Sequence, residues 1–140
     1  MLRNCCLLLL IICSVGCTWN QNAAKTRSSE QEFQLGREAF EKKDYDGATR
    51  HLDVALRQQG LNADLAAEAL MMRAKSNIQL GRPAEALRDL DEVSKGPAPR
   101  EDVLATRGDV AILQGNLEEG RRLYSKAQKL NPAVKLPETL

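Results

Sequence analysis

The chain has 140 residues, enough for one ordinary domain and not for two. Its 20 Lys and Arg against 19 Asp and Glu leave a formal charge of +1 with both signs interspersed, so there is no electrostatic footprint for nucleic acid or for an anionic membrane surface. All four cysteines fall between Cys5 and Cys17, and the remainder can build neither an internal disulfide nor a thiolate metal site.

Arg3 is the only charge before Lys25, and a small or apolar run extends from Cys5 to Gly16 before the polar "TWNQN". A bilayer needs about 20 apolar residues to be crossed. A positive tip, about 7 to 15 apolar residues and a small residue before a cut site instead describe a secretory signal peptide. The end of the run, "SVGC", resembles a bacterial lipobox, with small Gly16 directly before Cys17. That resemblance implies a leader over 1–16, cut before a Cys17 that carries a diacylglycerol thioether and an acylated amino terminus, such as palmitate would give. Ser14 stands where the lipobox family favours Leu, and bulky Ile12 makes Cys13 the poorer acceptor. An ordinary leader cut near Gly16 would leave Cys17 as a free thiol. Two or three acyl chains, at about 0.8 kcal/mol per buried methylene, hold a protein on a bilayer almost permanently.

Residues 17–29 lack apolar periodicity and read as the lipidated Cys17 followed by a flexible tether. Trp19 would suit a membrane interface, or is incidental. Helical periodicity begins at Phe33, in a composition dominated by Ala, Leu, Glu, Arg and Gln with few aromatics, which predicts an all-α fold.

Three stretches then look alike: "LGREAFEKKDYDGATRHLDVAL", "RAKSNIQLGRPAEALRDLDEVS" and "RGDVAILQGNLEEGRRLYSKAQ". Their shared small residue falls at Ala48, Ala86 and Gly120. The resulting period is about 34 residues, that of two helices and a turn, with extra residues of the first interval in "RQQGLNAD". Small residues also recur in the first helix of each unit, at Gly36, Ala74 and Gly108. A helical glycine costs about 1 kcal/mol relative to Ala, so Gly108 and Gly120 make sense together only if their backbones meet. Leu52, Leu90 and Tyr124 fill the space beside those contacts. Turns fall at "KKDYD", at "LGRP", where Pro83 suits a first helical turn, at "KGPAP" and at "QGN".

The chain therefore resembles a tetratricopeptide repeat protein. The first unit carries Leu35, Gly36, Ala39, Phe40, Tyr45, Ala48, Leu52, Ala55 and Leu56 of the family pattern. The second carries Leu70, Ala74, Gly81, Ala86 and Leu90, with Val93 for the usual Ala. The third has Leu104, Gly108, Gly115, Gly120, Tyr124, Ala127 and Pro132. The resemblance implies a domain over 30–134 of three tandem helix-turn-helix repeats, at about 29–62, 67–100 and 101–134, wound into a short right-handed superhelix. A tail, 135–140, follows, and either Val134 and Leu136 fold back over the last helix or a partner covers it.

In that family the first helix of each repeat lines a concave groove. The inward phases are held by Phe33, Arg37 and Phe40, by Met71, Lys75 and Ile78, and by Ala105, Asp109 and Ile112. This lining is apolar with a charge at each step. Phe33 and Met71 suit either an adaptable peptide surface or packing between neighbouring first helices. The Lys and Asn pattern that clamps a chaperone's terminal carboxylate is absent, since Phe33, Met72 and Thr106 hold three of its phases.

The sequence contains no phosphate loop, zinc motif or paired Cys motif, and no nucleophile with a matching base. His51, the only histidine, is expected to be idle on an outer helix face. Asp89, Asp91, Glu118 and Glu119, mixed with Arg88, Arg121 and Arg122, read as a solvated face. The expectation is a scaffold without catalysis, cofactor, metal or nucleic acid. It would be lipid-anchored in the periplasm and would bind a protein or peptide of the cell envelope; if the source is a bacterium with two membranes, the lipoprotein family's sorting habit implies the outer membrane, since Thr18 and not the retaining Asp follows the anchor. Lipoproteins similar to it assist pilus secretins, outer-membrane insertion and cell-wall synthesis. A self-associating oligomer and a secreted, unanchored adaptor are the alternatives.

Overall fold

The computed structural model describes the backbone of residues 5–96 and 100–138, and side chains from Ala23 onward within those spans. Among the described residues there are six helices and no strand: α1 (Cys5–Glu41), α2 (Tyr45–Arg57), α3 (Ala63–Gln79), α4 (Pro83–Val93), α5 (Arg100–Leu113) and α6 (Leu117–Leu130). They pack as three antiparallel hairpins, α1 on α2, α3 on α4 and α5 on α6.

One turn design recurs. Each first helix ends on a left-handed residue, Lys43 (φ 61°), Gly81 (φ 68°) and Gly115 (φ 79°). The following amide then reaches back five residues, from Asp44 to Ala39, from Arg82 to Asn77 and from Asn116 to Ala111, satisfying carbonyls that the helix leaves open. The second helices start on matching signals. Asp44 Oδ1 accepts from the Gly47 amide and Asn116 Oδ1 from the Glu119 amide, while Arg82 lacks a side-chain cap and α4 opens on Pro83 instead.

Inside each hairpin the small residues set the approach. A β-carbon built on Gly36 would lie 2.7 Å from Leu52 Cγ, and one on Gly120 would lie 2.9 Å from Ile112 Cγ1 and 3.5 Å from the Gly108 carbonyl oxygen. Gly108 and Gly120 do meet. Two apolar clusters form the core and share α3. Phe33, Ala48, Leu52, Ala55, Ala69 and Met72 make the first, and Met71, Ala74, Ala86, Leu90, Val93, Val103 and Val110 the second.

The region expected as a tether, 17–29, is instead part of α1. No Gly or Pro interrupts the chain between Thr18 and Leu35, and Ala23 and Ala24 favour the helix. Tertiary packing holds its end, because the one proton of the buried Ser29 hydroxyl is shared between the Lys25 carbonyl of the same helix (3.0 Å) and Gln58 Oε1 at the end of α2 (3.2 Å), beside Gly60. At the other terminus Gln128 Nε2 donates to the Val134 carbonyl (3.0 Å), so the chain turns back there with Val134 half-buried, whereas Leu136 stays exposed.

Candidate functional site

The first helices α1, α3 and α5 touch in succession, while among the described residues the backbones of α2, α4 and α6 stay apart from one another. Such a wedge curves the stack, with the first helices on its inner side. Because α3 packs against α1, α2, α4 and α5, one stripe of it stays open, carrying Asp64, Glu68, Lys75 and Gln79. The same phases are Glu30, Arg37 and Glu41 in α1, and Asp102, Asp109 and Leu113 in α5.

Of the nine residues expected to line the groove, Arg37 and Lys75 are exposed, and Phe40, Ile78, Ala105, Asp109 and Ile112 are half-buried. Phe33 is not on the surface. At 0% exposure it fills the core beside Leu52 and Met72, and Met71 is likewise a core residue of the second cluster. Both sit on the sector of their helix that turns toward the neighbouring repeat, so packing is their role. Phe40 lies edge-on to Tyr45, ring centroids 5.9 Å apart, and Ile112 packs against Gly120. Cys17 lies in α1, and its side chain is outside the described residues.

Charge on the open face is arranged by its neighbours. The Arg37 guanidinium stands 5.9 Å from the centroid of the Phe33 ring and donates to Gln34 Oε1, which keeps it extended over the surface. Asp109 accepts a hydrogen bond from the Tyr124 hydroxyl. Burial raises the Asp109 carboxyl above its ordinary range, against the opposing pull of the Tyr124 hydrogen bond and of the Lys75 charge. Burial, and then the Asp109 hydrogen bond and charge, push the Tyr124 phenol far up, so it remains a proton donor to the carboxylate.

The outer side holds a cleft of about 410 Å³ between α2 and α4, floored by α3. There Arg73 donates to both oxygens of Asp89 (3.0 and 2.6 Å) and to Asp53 (3.1 Å). Asp89 is thus no part of a solvated face. Its side chain is 6% exposed, and the arginine that neutralises it comes from another helix, with no local spacing to announce the pair. Burial pulls the Arg73 pKa down, but the Asp89 hydrogen bond and the charges of Asp89 and Asp53 outweigh it and leave the group raised. Asp91 and Glu119 do lie at the surface, paired with Arg107 and Arg122. His51 is half-buried, its Nδ1 2.8 Å from Glu32 Oε2 across the first hairpin.

Among the described residues, no group of three or more His, Cys, Asp or Glu is placed to hold a metal ion, and no helix is long and apolar enough to cross a membrane. A family model described as a tetratricopeptide repeat-like domain matches residues 18–137. No curated protein matches the chain.

Proposed function

Because the chain belongs to the tetratricopeptide repeat-like family, whose domains act as protein-interaction scaffolds, we propose that it presents its concave face to a protein partner while Cys17 anchors it to a membrane of the cell envelope. The observation that carries the scaffold reading is the open stripe across α1, α3 and α5, where charged and half-buried apolar side chains face outward and no element among the described residues covers them. The anchor is supported by Gly16 and Cys17 closing the apolar run, and Thr18 after them favours the outer membrane of a two-membraned cell. The partner then belongs to an envelope machine such as those that assemble pili, outer-membrane proteins or cell wall.

Photocrosslinking in the native cell from positions 37, 75 and 109, with position 50 on the outer side as control, tests the face. Adducts to one protein from the inner positions alone are expected. Equal labelling from position 50, or adducts only to further copies of the chain, would overturn the reading. For the anchor, Cys17→Ala should abolish incorporation of labelled palmitate and release the protein from the membrane fraction.

A further inference from the structure

The outer cleft between α2 and α4 is polar where the repeat does not require it to be. Its floor carries Asn77, three residues after Ala74 of α3, and the same place holds Ala39 in α1 and Ala111 in α5. Asn77 is 6% exposed, yet its carboxamide has no hydrogen-bond partner among the described residues. Both of its polar side-chain atoms stay accessible, and the residue lines the cleft, so the carboxamide opens into that space. Two N–H donors and an oxygen acceptor so deep in the fold are costly to leave unpaired. Alanine at the two equivalent places shows that packing does not call for them.

The walls hold uncommitted charge as well. Arg73 on the floor is engaged by Asp89 and Asp53. Exposed Arg50 from α2 and exposed Arg88 from α4 hold the same place in successive repeats, two residues after Ala48 and Ala86. Neither enters a hydrogen bond or ion pair among the described residues, and neither does Glu85 on the same wall as Arg88. Two free guanidinium groups against one free carboxylate suit a ligand with a single negative charge; a phosphate dianion or a second carboxylate would meet Glu85. A guanidinium fork matches the paired oxygens of a carboxylate, and a carboxamide can both donate to and accept from an amide. The volume, about 410 Å³, is that of a small-molecule site. We infer that the cleft binds a small monocarboxylate with an adjoining amide, of the size of an N-acylated amino acid. Its carboxylate lies between Arg50 and Arg88, and its amide on the Asn77 side chain. The site is on the side away from the open face and stands independently of the scaffold reading.

Nuclear magnetic resonance titration of the ¹⁵N-labelled full-length chain tests this, following the Asn77 side-chain amide and the backbone amides around it. The probe is N-acetylalanine, compared at equal ionic strength with its primary amide, which lacks the carboxylate, with acetate, which lacks the amide, and with inorganic phosphate. N-acetylalanine should give saturable shifts centred on Asn77, and the other three should bind more weakly. Asn77→Ala installs the residue of the other two hairpins; it should keep the urea midpoint at or above that of the parent while weakening binding about five- to tenfold. Arg50→Ala and Arg88→Ala should each weaken binding about two- to fivefold, as expected for exposed charges. Arg122→Ala, at the equivalent place of the third repeat, should leave it unchanged. No saturable shift, phosphate binding as tightly as N-acetylalanine, or full affinity in Asn77→Ala would each overturn the inference. So would a lowered urea midpoint in Asn77→Ala, which would assign the carboxamide to the fold.

Discussion

A β-carbon built on Gly108 would lie 2.7 Å from two carbons of the Tyr124 ring, and that ring is held in place by its hydroxyl on Asp109. Gly108→Ala gains about 1 kcal/mol of helix propensity, yet the overpacking of an immobile ring costs about 1–3 kcal/mol. The net effect should be a loss, read as a lower urea midpoint at unchanged slope; a higher midpoint would mean that the ring can move. Asp109 itself gives a pH signature. Its carboxyl is raised in the fold, so the folded state holds the proton more tightly than the unfolded chain. Stability from this group is full below the unfolded carboxylate pKa and is lost as pH rises through the folded one. Asp109→Asn, which keeps an acceptor for Tyr124, should therefore flatten the decline between acidic and neutral pH and leave the variant the more stable at pH 7. Denaturant melts across that range would show it, and an unchanged slope would assign the decline to other groups.

At the scale of elements, α3 is the helix that every junction uses. It gives Met72 to one cluster and Met71 to the other, and through Arg73 it ties α2 to α4. Arg73→Met leaves Asp89 buried without its counter-charge, a loss of about 3 kcal/mol by comparison with other broken buried pairs. Adding Asp89→Asn removes the stranded charge, and the double variant should regain most of that loss in chemical denaturation. Strictly additive losses would show that the two residues do not act as a pair. The hairpins themselves were readable in the sequence because their signals are local and recur: small residues at Gly36, Ala48, Ala86, Gly108 and Gly120, and turns at Lys43, Gly81 and Gly115. Contacts between distant segments left no such trace. Ser29 looked like linker because its partner, Gln58, lies across a hairpin, and Asp89 looked solvated because Arg73 precedes it on another helix. The open face was half legible: phase located Arg37, Lys75 and Asp109, but phase alone could not tell that Phe33 and Met71 turn into the neighbouring repeat.

For the molecule as a whole, stability should be graded along the stack, since each hairpin of a repeat array is held by its neighbours. The first junction is the fuller one, with Leu56, Leu61 and Leu65 packed against the cluster that Phe33 and Leu52 anchor. Beyond α5 the core thins. The buried residues of α6 are Gly120, Tyr124 and Ala127, while Leu117 and Leu130 are exposed. A cleft of about 560 Å³ lies among Val103, Leu104, Arg107 and Leu130. Amide hydrogen exchange should therefore find α6 opening first, then α5, with α3 among the last to exchange. Leu90→Ala sharpens the test, because Leu90 is fully buried in the cluster that joins α4 to α5. Removing its side chain should cost about 2–5 kcal/mol, drawn from that junction. If coupling runs only between neighbours, α5 and α6 lose protection together while α1 and α2 keep most of theirs. Equal loss in all six helices would mean that the shared helix α3 welds both clusters into one cooperative unit, and that the open face is rigid along its whole length.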